Sequence, residues 1–379
     1  MYRRIMRSFS WLLVLVTYAA QAQVSTVEQS LQAIVDAGKA VGFSVAVVKK
    51  NKLVYTQSFG YKELAARIPL SNTDIFRIAS ISKSFSATAV LQLVEAGKLN
   101  LQDDVSELVG FTVRNPRFPD KAITLEHLLS HRSGINDSQG YFTLDAINPA
   151  KNPHADSCYN QYAPGDGYQY CNLNFNMVGT IIEKFSGERF DQYIKHHILD
   201  PLNLYGGYCV DSLDAGRFAT LYEYRNDTLG FLASPAAYAP RREEISQYTM
   251  GYSTPVFSPT GGMKISATDL ARYMLLHMNY GKTNGQRIIS RKHSRRMQTP
   301  LSEQSGYGLA LHVTKTLLPG KTLVGHTGSA YGLHSAMFFD PKEKYGIVVI
   351  SNGCLPAYEE GFNNVIKEIV LELSSFFQK

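Results

Sequence analysis

Apolar residues recur along this chain in more than one rhythm. Residues 43–49 and 53–59 are rich in β-formers and flank Lys50-Asn51-Lys52, which predicts a hairpin near the start. The middle of the chain switches to helical spacing. Over 82–96, Phe85, Ala89, Val90, Leu91, Leu93 and Val94 make the segment apolar nearly all round, the pattern of a helix buried on most faces, and Gly97 can end it. Thr124 is placed to cap a short helix over 124–130. Residues 174–186 carry Phe175, Val178, Ile181, Ile182 and Phe185 on one stripe before Gly187. Ser266-Ala267-Thr268-Asp269 opens a further helix, with Asp269 able to reach back to the cap. Past Pro300 short strands return over 308–314, 322–325, 333–339 and 345–351. A last helix is expected over 359–377, from the spacing of Phe362, Val365, Ile366, Ile369, Val370 and Leu373.

Strands at both ends with helices between predict an α/β fold of the α+β type. An antiparallel β-sheet drawn from residues 23–75 and 305–379 would be flanked by helices, with a mostly helical subdomain inserted over 76–304. Residues 222–259 are dense in Pro, Tyr and charge and read as a long surface excursion. The chain of 379 residues, 44% hydrophobic, can bury a sizeable core. Its length alone suggests about two domains. The order of the motifs below argues instead for a single catalytic domain over 23–379, with its site in the cleft between sheet and insertion.

Residues 1–22 read as an export signal. Arg3, Arg4 and Arg7 precede the apolar run Trp11-Leu12-Leu13-Val14-Leu15-Val16, and Ala20-Gln21-Ala22 fits a small-x-small cleavage site. That run is far short of the ~20 residues a membrane span needs. The mature protein is therefore expected to be periplasmic or secreted, without a membrane span. Removing the leader takes three arginines from the formal net charge of +6 and leaves +3, too little and too scattered for a nucleic-acid partner. The local cluster Arg291-Lys292-His293-Ser294-Arg295-Arg296 reads as a solvated helix face, with an anionic partner as the alternative. Export permits disulfides among Cys158, Cys171, Cys209 and Cys354, and Cys158 with Cys171 or Cys209 is the preferred pairing of those open. No metal or organic cofactor is implied. Adjacent residues diverge on a helix, so His196-His197 is a poor shared ligand pair.

Three short motifs carry chemistry. In Ser80-Ile81-Ser82-Lys83 the two polar ends share a helix face. A serine hydroxyl is a poor nucleophile until a neighbour takes its proton, and a lysine can do so only when a desolvated site keeps it neutral. In Tyr170-Cys171-Asn172, an extended backbone would aim Tyr170 and Asn172 the same way, with Cys171 turned aside. Asn172 can donate to a substrate carbonyl and accept from Lys83. Tyr170 can relay a proton if nearby cations favour its ionised form. His326-Thr327-Gly328 follows a strand, so it can pair with a bound substrate, with Gly328 allowing close approach and the N–H of Ser329 serving an oxyanion hole. His326 would be about half protonated only near its unperturbed pKa of ~6.5. Ser130-His131 looks like a catalytic pair, but adjacency does not give the needed hydrogen bond, and its expected job is to end a helix and brace the cleft. Gly261-Gly262 reads as a tight turn near the cleft.

These motifs resemble those of the serine β-lactamase and penicillin-binding-protein superfamily, in the branch of class C β-lactamases, D-alanyl-D-alanine carboxypeptidases and related esterases. The resemblance rests on Phe76 through Lys83, Leu128 through Gly134, Pro164-Gly165 through Asn172, Ser258 through Gly262, and Gly325 through Gly328, and it spans roughly residues 30–375. It implies Ser80 as acylated nucleophile, Lys83 and Tyr170 as proton-transfer groups, and Asn172 and His326 as substrate orienters. His326 stands where β-lactamases typically carry lysine, which favours peptidase or esterase members. The expected activity is an exported serine hydrolase forming an acyl-enzyme at Ser80 on a small-molecule or peptide substrate: a D-amino-acid peptide, a small ester or a β-lactam. An acyltransferase using an alcohol or amine acceptor, and a binding or sensor module without turnover, are the alternatives. The sequence leaves oligomeric state open.

Overall fold

The computed structural model describes residues 26–302 and 305–378, so the leader lies outside the described residues. The strands that organise the fold are β1 (Ala40–Lys49), β2 (Lys52–Glu63), β3 (Ile68–Pro69), β4 (His312–Thr314), β5 (Leu323–Ala330), β6 (Leu333–Asp340) and β7 (Tyr345–Cys354). They form one sheet in the order β4-β5-β6-β7-β1-β2-β3, antiparallel at every pairing. The chain's first strands thus complete a sheet that its last strands begin. The β1–β2 turn is made by Lys50 and Asn51 at φ +52° and +64°, the left-handed pair whose twist suits a two-residue hairpin.

Both faces of this sheet are covered, which explains why its central strands read as continuous apolar runs rather than as an alternation. Phe43, Val45, Val47, Ala336, Phe338, Ile347 and Val349 face one core; Ala46, Val48, Met337, Phe339, Val348 and Ile350 face the other. The first core is closed by a helix over residues 26–36 (α1) and by a C-terminal helix. The second is closed by the central helices, here α2 (Ser82–Glu95), α3 (Leu125–Leu129), α4 (Asn172–Ser186), α5 (Ala267–Met278) and α6 (Arg291–Met297); the C-terminal helix is α7 (Asn364–Phe377). No described helix is long and apolar enough to cross a membrane.

Several elements differ from the pattern-based expectation. Helix α1 was not anticipated; Val27, Leu31 and Ile34 bury its one apolar stripe. Helix α7 starts at Asn364 instead of 359. The Asn363 side chain accepts from the N–H groups of Val365 and Ile366 at 3.1 and 3.2 Å, and Tyr358–Glu359 instead pairs with Phe362–Asn363 as a small hairpin. The strand expected over 308–314 is reduced to His312–Thr314. β5 runs on to Ala330, so His326-Thr327-Gly328 lies within a strand and not after one. Helix α4 begins at Asn172, two residues early. The expected disulfide is absent: all four cysteines are buried free thiols, with Cys158 bonded to the Ala146 carbonyl (3.4 Å) and Cys171 to Asp137 (3.1 Å).

Gly328 fixes the distance between the sheet and the start of α2. A Cβ there would lie 2.2 Å from the Ile78 carbonyl oxygen and 2.5 Å from Ser335 Oγ. The glycine was expected to admit substrate; it admits the protein's own chain. Gly328→Ala is expected to destabilise the fold by about 1–3 kcal/mol through overpacking. Urea unfolding checks this, and an unchanged midpoint would show that the Ile78–Ser80 turn can move aside freely.

Candidate active site

The chain leading into Ser80 is held by short main-chain pairings. Phe76–Arg77 pairs with Lys264–Ile265, and Ile78 N–H donates to Met263 O at 2.9 Å. The next residue, Ala79, takes φ +46°, an uncommon conformation for a residue with a Cβ. Ser80 then lies in a one-turn 3-10 helix, Ala79–Ile81, that runs directly into α2. Lys83 follows one turn later on the same face.

Lys83 is fully buried, while Ser80 is partly exposed. The lysine Nζ lies 3.2 Å from Ser80 Oγ, 2.9 Å from Asn172 Oδ1 and 3.0 Å from the Thr260 carbonyl oxygen. An ammonium would donate to all three. A neutral amine keeps two of these bonds and turns its lone pair to the Ser80 hydroxyl. Burial drives Lys83 toward that neutral form, lowering its pKa to about 7, against the opposing pull of Asp137 and Cys171.

Tyr170 lies across from the lysine, its ring centre 4.7 Å from Nζ. Its hydroxyl is buried with no partner at bonding geometry, and burial raises its pKa well above the ordinary value, the nearby Ser80 hydroxyl offsetting this only in part. An ionised phenol is therefore not favoured here, and the neutral hydroxyl is able to donate a proton. Asn172 is the first residue of α4. Its Oδ1 accepts from both Lys83 and Thr260 Oγ1, the latter at 2.8 Å.

Asp137 orients this whole segment, and the sequence reading missed it. Its Oδ2 accepts from Asn172 N–H (2.8 Å) and Nδ2 (3.0 Å), and its Oδ1 from Leu173 N–H (3.0 Å) and Cys171 Sγ. One carboxylate thus caps the N-terminal end of α4, aims the Asn172 carbonyl at Lys83, and adds negative charge near the amine. Its only sequence signal was its place in a polar turn just past Gly134. His131 braces the site from behind: Nδ1 accepts from Cys171 N–H at 3.1 Å and the ring packs 4.2 Å from that of Tyr170. Thr260 comes from the turn that precedes Gly261-Gly262.

β5 passes on the other side of Ser80. β4 pairs with β5 only at residues 323–325, so the edge carrying His326, Thr327, Gly328 and Ser329 extends past the end of β4. Thr327 is partly exposed and Ser329 exposed, while His326 and Gly328 are buried. His326 is not the partial cation its unperturbed pKa suggested. Its Nδ1–H donates to Thr327 O at 2.5 Å, and its Nε2 accepts from the Tyr307 hydroxyl at 2.9 Å. Burial lowers its pKa to about 3, with Lys83 adding to the fall.

Other conspicuous groups stand apart. The basic cluster on α6 lines a surface groove of about 1180 Å³, beside the end of α2 remote from Ser80. Arg296 is engaged there by Glu126 and His293 by Glu95. His196 and His197 both bond Glu188. Tyr238 accepts from Arg77 N–H, and Tyr248 donates to Glu183. Among the described residues no group of three or more His, Cys, Asp or Glu is arranged to hold a metal.

The chain is similar to known proteins over most of its length. The Beta-lactamase family model matches residues 27–367. Protein flp of Staphylococcus aureus (strain MW2) is 26% identical over 349 residues, covering 89% of this chain and 64% of the relative, so the chain spans just under two thirds of that relative's length. The structure of the octameric penicillin-binding protein homologue from Pyrococcus abyssi superposes with a TM-score of 0.73 at 27% identity, over 94% of this chain and 78% of that one. EstCE1, described as a hydrolase with promiscuous acyltransferase activity, superposes with a TM-score of 0.71 at 21% identity, over 93% and 99% of the two chains. With the family model covering all but the two ends, the chain belongs to the beta-lactamase family.

Proposed function

We propose that this protein is an exported serine hydrolase that cleaves an ester or amide through an acyl-enzyme at Ser80. The observation that carries the reading is the buried Lys83 amine within 3.2 Å of the Ser80 hydroxyl, with its other two acceptors in place. Neutral Lys83 takes the Ser80 proton as Oγ bonds the acyl carbon. The N–H groups of Ser80 and Ser329 hold the developing oxyanion. As the bond to the leaving oxygen or nitrogen breaks, Tyr170 gives that atom its proton and is reprotonated by the Lys83 ammonium. Water then repeats the sequence with the acyl carbon as its target, and Ser80 leaves. The same first half-reaction serves acyl transfer when an alcohol or amine replaces water, as the description of EstCE1 records for that protein.

Ser80→Ala is expected to abolish the covalent adduct and lower kcat by roughly 10³-fold or more. Intact-protein mass spectrometry with a simple activated ester checks it; an adduct that persists in the variant would move the nucleophile elsewhere. The pH dependence follows from Lys83. Only the neutral amine is a base, so kcat/KM should rise as pH climbs through about 7 and level off above it. Asp137→Asn removes a negative charge that favours the ammonium, so the rising limb should move to lower pH while kcat falls from the loosened Asn172. A limb that stays in place would deny Asp137 its electrostatic part.

A further inference from the structure

Glu183 is a fully buried acid on α4, about three turns past Asn172. Its Oε1 accepts from Phe190 N–H at 2.8 Å and from the Tyr248 hydroxyl. Its Oε2 accepts from Gly251 N–H and Thr254 Oγ1, both at 2.7 Å. These four donors fill the lone-pair sites that a carboxylate offers. All four partners are neutral, so what Glu183 holds is chain and not a cation. Three of them come from residues 248–254, near the end of the stretch that reads from sequence as a surface excursion.

That stretch continues from Glu183 to the reactive cluster. Asn172, Gly179 and Glu183 stand seven and four residues apart and share one face of α4. Residues 248–260 run back along this face. At Gly179 they pack against bare backbone: a Cβ there would lie 2.3 Å from Pro259 Cγ and 2.7 Å from Thr254 Cγ2. Glycine is a poor residue for the middle of a helix, and this close approach is the reason for it. At Asn172 the run ends in Thr260, whose Oγ1 donates to Asn172 Oδ1 at 2.8 Å and whose carbonyl accepts from Lys83 at 3.0 Å. Ser86 on α2 adds a bond to the Pro259 carbonyl at 2.9 Å. Of the three partners of Lys83, Ser80 and Asn172 sit at helix starts. Thr260 lies in a turn, so it is the partner that the chain around it must bring into place.

We propose that Glu183 is a positioning residue that sets the Thr260 carbonyl against the Lys83 amine. The inference rests on the reading of Lys83 as the base that activates Ser80. An ammonium gains more from an accepting carbonyl than a neutral amine does. When residues 248–260 lose their hold on α4, the ammonium is one acceptor short and gives up its proton more readily.

The test compares wild type, Glu183→Gln and Tyr248→Phe in kcat/KM against pH on a simple activated ester, each enzyme kept well below its unfolding midpoint. Glu183→Gln turns one accepting oxygen into an NH2 group that faces the same donors. Its rising limb is expected to move to lower pH by about half a unit or more, with kcat falling roughly fivefold as the base loses its anchor. Tyr248→Phe removes one donor and keeps the ring, and is expected to move the limb the same way by less. A Glu183→Gln enzyme that unfolds more easily yet keeps the wild-type limb overturns the positioning role and leaves a structural one. Should that variant not fold, an unmoved limb in Tyr248→Phe overturns it. If wild type forms no adduct at Ser80 in intact-mass measurements, the reading of the site falls and the role of Glu183 with it.

Discussion

The Lys83 side chain is fully buried, and three separate stretches of chain must converge to give its amine partners. Ser80 comes from its own helix, Asn172 from the start of α4, and the Thr260 carbonyl from the turn before Gly261. A lysine displaced from its ordinary pKa of 10.5 to about 7 has lost on the order of 5 kcal/mol of preference for its charged form. That loss is what makes the residue useful as a base, because an amine that stays protonated takes no proton from serine. It also sets limits. Deeper burial would leave an amine too weak to hold the proton it takes. Asp137 works against this, so the lysine is poised between a low-dielectric surrounding and a carboxylate beyond Asn172.

The rest of the site depends on that balance. Tyr170 is buried beside the same amine and is neutral because nothing near it outweighs its own desolvation. His326 is pushed further from charge by Lys83 and finds its two bonds within the protein. Burial therefore keeps Tyr170 and His326 uncharged beside a Lys83 poised between its two forms, and the Asp137 carboxylate is spent on α4. Fixed main-chain groups suit such a site, since they stabilise charge without bringing a counter-ion that would titrate.

Much of the fold was legible because it follows from short-range pattern. The β1–β2 hairpin, the all-round apolar α2 and the capped starts of α3 and α5 are local properties, and a sheet built from both ends follows from where the strands fall. The Ser80–Lys83 pair was legible for the same reason, since one helical turn fixes their distance. What escaped depends on residues far apart in sequence. Asp137 reaches Asn172 across 35 positions, and nothing in its own neighbourhood marks it. His326 is held neutral by burial and bonds Tyr307, 19 residues earlier. Gly328 looked like an opening for substrate because the turn it faces, at Ile78–Ala79, is 250 residues away. The expected disulfide failed because the export argument permits a bridge but does not place two sulfurs together.

The contact at Gly328 separates two kinds of change that evolution can make. Ser80, the turn before it and the strand beside it are locked by backbone against backbone, through the Ile78 carbonyl and Ser335. The hairpin tip at Glu360 and Gly361, by contrast, is exposed on a two-strand loop. Sequence drift in that loop can alter the surface there while the backbone contact beside Ser80 stays fixed.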